Sequence, residues 1–84
     1  MQIIFSNHCY DSMRKRGVQE LEIIQTIQEN NWTKAKFNRL EAEKEFSYNN
    51  IWNNNFYKFK KVNPVFVKER ETVLVITFYA FYYN

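Results

Sequence analysis

Val73-Leu74-Val75-Ile76-Thr77-Phe78-Tyr79-Ala80-Phe81-Tyr82 is the stretch that decides the fold of this chain. β-Branched and aromatic residues fill it and neither Gly nor Pro interrupts it, which is the composition of a strand. Alternation assigns Leu74, Ile76, Phe78 and Ala80 to one face and Val73, Val75, Thr77, Tyr79 and Phe81 to the other. Both faces are apolar, so the strand is expected in the centre of a sheet. The apolar run ends within a dozen residues and is too β-branched for a membrane-spanning helix, and no membrane partner is expected.

Upstream of this run the pattern supplies strands at about residues 33–38, 46–48, 55–62 and 65–69. The acid-rich bridge 40–45 reads either as strand or as one helical turn. The segment 49–55 is rich in asparagine and is expected to be a loop, because the Asn amide imitates backbone hydrogen bonding. Pro64 has no N–H to donate and marks a bend, bulge or edge position. Arg70-Glu71 is the expected turn of the last hairpin.

The first thirty residues differ in period. Ile3-Ile4-Phe5 is a short strand candidate, and Ser6 follows as a helix N-cap, so the first helix starts at Asn7. Phe5 and Tyr10 are spaced for a hydrophobic staple, Gly17 supplies the left-handed residue that ends the helix, and Val18 folds back onto Met13. A second helix is expected at about 19–30, with Leu21, Ile24 and Ile27 on one stripe and Ile23 widening it. Gln19 is a poor N-cap, whereas Glu20 and Glu22 suit the positive end of the helix dipole. The expected architecture is α+β: two N-terminal helices packed on one face of a twisted, mainly antiparallel sheet, in two layers.

The 84 residues are enough for one domain and one modest core, and the 45% apolar and 19% aromatic content is that of a folded chain. Cys9 has no partner for a disulfide, and a single His with a single Cys cannot build a structural zinc site. Residues 1–5 lack the basic start and long apolar stretch of a signal peptide. A cytoplasmic protein without metal or cofactor is therefore expected. The net charge of +3 permits a polyanionic partner without demanding one.

Three groups of residues can carry chemistry. His8, Ser12 and Arg16 follow one another at four-residue spacing along adjoining parts of one helical face. An imidazole can move the proton of a ribose 2′-hydroxyl, and a guanidinium can hold a phosphate while charge gathers on it. Equally, His8 can hydrogen-bond a strand end while Arg16 pairs with a glutamate of the second helix. Lys58, Lys60 and Lys61 interleave with Phe56, Tyr57 and Phe59, a pattern suited to single-stranded RNA, where phosphates meet cations and bases stack on rings. Lys34, Lys36 and Arg39 can extend that surface. The alternative is a solvated sheet face whose lysines discourage edge pairing. Thr77 is the only polar residue of the run from Val73 to Phe78, and with Tyr79 it would place two hydroxyls near a scissile phosphate if their face meets the His8 helix.

Phe5-Ser6-Asn7-His8, then Met13, Arg16-Gly17-Val18 and the closing Val73-Leu74-Val75-Ile76-Thr77-Phe78-Tyr79 resemble the domain-of-unknown-function family numbered 4258, over nearly the whole chain in order of elements. That family is similar in plan to the RelE/ParE and barnase-like toxin fold, which includes metal-independent ribonucleases of toxin–antitoxin systems. The resemblance implies a RelE-like sheet and an RNA endonuclease with His8 as acid/base group, Arg16 on the phosphate, and Thr77 with Tyr79 lining the cleft. Two positions depart from the family pattern: Ser12 stands where the first helix usually carries an arginine, with Arg14 on a different face, and Gln19 replaces a capping serine.

The expected function is a toxin-like, metal-independent endoribonuclease held in check by a protein antitoxin. Its catalytic set is His8, Arg16, Thr77 and Tyr79, and its substrate contacts are Ser12, Arg14, Lys58 and Lys60. The rival is a non-catalytic module that binds RNA or protein, with a homodimer through the aromatic last strand as a third course.

Overall fold

A computed structural model describes all residues, 1–84. The chain runs β1 (Gln2–Phe5), α1 (Asn7–Arg16), α2 (Glu20–Glu29), β2 (Thr33–Ala35), β3 (Arg39–Glu41), β4 (Lys44–Trp52), β5 (Asn55–Glu69) and β6 (Thr72–Tyr83). The strands form one six-stranded sheet of order β1-β6-β5-β3-β2, with β4 pairing β5 beside β3.

This overturns the expected two-layer, RelE-like arrangement of N-terminal helices on a mainly antiparallel sheet. The chain opens on a strand, the helices are an insert between β1 and β2, and the sheet is mixed because β1 lies parallel to β6. Strand makes up 55% of the residues and helix 24%. Nor is α1 simply laid over a face. Ser6 Oγ donates to Ile76 O (3.0 Å) and Arg16 Nη1 to Phe78 O (2.5 Å), so α1 runs along the margin of β6 beyond the end of β1 and takes up carbonyls that β1 no longer reaches.

Local signals set the helix ends. Ser6 Oγ accepts from Cys9 N, the Phe5 and Tyr10 rings meet at 5.8 Å, and Gly17 adopts φ 68° as the left-handed cap while Val18 N bonds Met13 O. The start of α2 is better held than Gln19 suggests, because the Glu22 carboxylate accepts from Gln19 N at 2.9 Å.

The core gathers Phe5, Cys9, Val18, Ile23, Ile27, Val62, Phe66, Val73, Val75 and Phe78, with Trp32 set edge-on to Phe66. Simple alternation would not bury this set. Val65 pairs with Thr77 but Phe66 pairs with Val75, so Ile76 has no partner and forms a bulge. The bulge changes the phase of β6. Val73 and Val75 face inward before it, Phe78 faces inward after it, and Thr77 turns outward instead of carrying a hydroxyl into the core. β5 stays continuous through Pro64, whose carbonyl accepts from Ala42 N. Its polar edge therefore faces the junction of β3 and β4, where a missing N–H costs no bond to β6.

Residues 33–38 are not one strand: β2 turns back into β3 through Lys36, Phe37 and Asn38, with φ of 61° at Phe37 and 58° at Asn38. Most of the asparagine-rich segment is strand rather than loop. Only Asn53 and Asn54, both at positive φ, form the β4–β5 turn, while Asn49 (φ 47°) sits in a second bulge. Arg70 takes positive φ in the expected Arg70-Glu71 turn.

Candidate functional site

The outward turn of Thr77 creates the candidate site. The N-terminus of α1 passes beside β6 at this level, and His8 Nε2 lies 3.2 Å from Thr77 Oγ1. Next to this pair the outer face of the sheet holds a cleft of about 310 Å³ lined by Lys36, Phe37, Arg39, Glu41, Val65, Thr77 and Tyr79. The β2–β3 turn and β3 supply one wall, with Lys36 and Arg39 as its cations and Glu41 as its carboxylate, and β6 supplies the hydroxyl wall.

Beyond the cleft the outer face is aromatic. Tyr79 and Phe81 are 48% and 49% exposed, Lys61 lies over the Phe81 ring at 5.4 Å, and Phe59 sits beside Tyr83 at 5.8 Å. Phe37 at the turn is 84% exposed with the Arg39 guanidinium above it. The carboxylates of this face are partly engaged, since Glu43 pairs with Lys61 and Glu45 accepts from the Tyr83 hydroxyl. That last bond pushes the Tyr83 pKa up to about 12. Lys36 and Arg39 have no carboxylate within ion-pair distance.

His8 meets Thr77, and Thr77 shares the cleft with Tyr79, but His8 itself is not among the residues that line the cleft, and the other expected site residues lie elsewhere. Arg16 is held at the far end of α1, bonded to Phe78 O and placed over the Phe78 ring. Ser12 is buried under α1. Arg14 is exposed beside Asp11 and Lys15 in a separate shallow depression. Lys58 shares the parity of Val62 and Phe66, on the side of the sheet opposite the cleft. Lys60 is 4% exposed and gives its ammonium protons to Gly17 O and both Glu22 oxygens.

The pattern along the chain put Lys61 and Phe59 in a basic, aromatic strand and Phe81 on the face of Thr77 and Tyr79, but did not set the three beside the cleft. One signal marked that face. With Val73 and Val75 in phase, Thr77 would be a lone hydroxyl in an apolar layer, which is the sign of a phase break before it. No three His, Cys, Asp or Glu side chains converge anywhere in the chain, and no helix is long and apolar enough to cross a membrane. No protein-family model, no curated protein and no solved structure matches the chain.

Proposed function

We propose that the protein binds single-stranded RNA across the outer face of its sheet, with bases on Tyr79, Phe81 and Phe37 and phosphates at Lys36, Arg39 and Lys61. The observation that supports this is the run of exposed rings on β6 interleaved with cations from β5 and the β2–β3 turn. Exposed rings accept any base by stacking, and cations along their margin follow the sugar–phosphate chain.

The His8–Thr77 contact favours a second reading, metal-independent cleavage of the bound strand. In it the imidazole accepts the proton of a ribose 2′-hydroxyl, the oxygen attacks the adjacent phosphorus as the P–O5′ bond breaks, and the 5′ oxygen leaves with a proton taken from solvent water, giving a 2′,3′-cyclic phosphate. Arg39 and Lys36, rather than the engaged Arg16, would face the charge gathering on the phosphate. A kinship with the 4258 family would rest on the motifs around His8 and Gly17.

One experiment addresses both readings: a fluorescent single-stranded RNA is titrated and then incubated in EDTA with wild type, Tyr79→Ala, Phe81→Ala and His8→Ala. Loss of one stacking ring should weaken binding roughly tenfold, whereas unchanged affinity in both ring variants would rule out the outer face. Cyclic-phosphate ends that disappear with His8→Ala would make the protein a ribonuclease; binding without cleavage would leave it a binding module.

A further inference from the structure

We infer that the free margin of β6 at Ala80 and Tyr82 docks an extended, acidic segment of a partner polypeptide, which adds to the sheet as a further strand. This concerns the edge of the sheet and stands apart from the RNA reading of its face. β1 covers β6 only from Thr72 to Val75, and α1 then takes the carbonyls of Ile76 and Phe78. Past Phe78 no further strand pairs with this margin of β6.

The direction of the unpaired groups follows from the register. Pro64 opposes Phe78, has no N–H, and gives its carbonyl to Ala42, so the two residues form a pair that turns its polar groups away from the shared seam. Phe78 accordingly offers its carbonyl to Arg16 on the open side. Ala80 and Tyr82 share that parity, and their N–H and C=O groups meet no strand or side chain. A donor and an acceptor alternating at strand spacing are matched by another backbone; a phosphate would satisfy the donors alone.

The surroundings specify the occupant. A groove of about 360 Å³ lies along this margin, lined by Lys15, Arg16, Trp52, Asn53 and the residues of β6 from Tyr79 to Tyr82, with no carboxylate among them. Lys15 has no acidic partner within ion-pair distance. A second copy of this chain would bring the same basic helix end to the same margin, whereas an acidic strand complements it.

The test uses the full chain and a fluorescein-labelled peptide of sequence Glu-Thr-Val-Thr-Val-Glu, with a lysine-for-glutamate version and one N-methylated at alternate amides as controls. Binding is read by anisotropy, and the edge by hydrogen exchange at the Ala80 and Tyr82 amides. The glutamate peptide should bind and slow exchange at both amides, while the lysine and N-methylated peptides should bind at least roughly tenfold more weakly, the loss of about one well-made polar contact. Ala80→Pro removes one outward donor and leaves the seam with β5 intact, so it should weaken the glutamate peptide to a similar extent.

If Ala80→Pro fails to fold by circular dichroism, the N-methylated peptide makes the same comparison on wild type. The inference is overturned if the glutamate peptide does not bind, if the lysine or N-methylated peptide binds as well, or if protection falls elsewhere. Self-association that Ala80→Pro abolishes would give the edge to a second copy and overturn it too, as would displacement of the peptide by RNA.

Discussion

Lys60 shows how far one residue can depart from its sequence surroundings. Set among Lys58, Lys61 and aromatic neighbours, it reads as part of a basic outer surface, yet it shares parity with Val62 and Phe66 and is turned inward. That parity was legible; its partner was not, because Glu22 lies on a helix and Gly17 in a loop. All three ammonium protons have acceptors there, and the Tyr48 ring lies 5.2 Å away. Lys60→Ala would leave the mostly buried Glu22 carboxylate without its counter-charge, held by Gln19 N alone, and should cost about 3 kcal/mol in urea unfolding, with Glu22→Gln/Lys60→Met recovering most of it. A loss no larger than that of an ordinary surface substitution would contradict the buried pair. Tyr82 borders the same cluster, and its hydroxyl donates to Arg16 O. Burial first, then the neighbouring Tyr48 and Glu22, push its pKa up to about 12 from the usual 10.0. Below pH 10 the phenol is protonated in folded and unfolded chains alike and its contribution is complete. Between pH 10 and about 12 the unfolded chain ionises first, so stability falls as pH rises. Tyr83 titrates in the same window. Melting temperatures across this range should therefore fall less steeply, not flatten, in Tyr82→Phe; parallel curves would remove Tyr82 from the effect.

Elements whose ends are set by near neighbours could be read from the chain. Ser6, the Phe5–Tyr10 staple and Gly17 define α1 within a dozen residues, and the Arg70-Glu71 turn is equally local. Gly17 is also required at longer range. At φ 68° a Cβ would lie 2.5 Å from the Trp52 ring and 2.9 Å from the Tyr82 hydroxyl. Gly17→Ala should thus cost about 2–3 kcal/mol, backbone strain adding to overpacking. Its near-ultraviolet circular dichroism should lose the signature of the Trp52–Tyr82 stack, whose centroids are 4.9 Å apart. A melting temperature close to wild type would show that the cap and stack can relax apart. β2, β3 and β4 were less legible. Asparagine marked turns correctly at Asn53 and Asn54, but β4 extends through Ile51 and Trp52 because the Trp52 ring stacks on β6, a contact no local pattern announces.

Across the whole molecule, the last strand was readable as strand but not in phase or in neighbours. The Ile76 bulge decides which residues face the cleft, and only the isolated Thr77 hints at it. The convergence of His8 with Thr77 depends on β1 lying parallel to β6, a pairing of residues about seventy positions apart that alternation cannot reveal. Half the candidate site, the wall formed by the β2–β3 turn and β3, was visible only as scattered cations. The β1–β6 pairing has a consequence in time as well as in space. At a synthesis rate of roughly 5–20 residues per second, several seconds separate the emergence of Ile3, Ile4 and Phe5 from that of their partners in β6. Throughout that interval the opening strand has no seam to join and Cys9 no Val75 carbonyl to meet. A nascent chain therefore carries this apolar segment uncovered until about seventy further residues have been added.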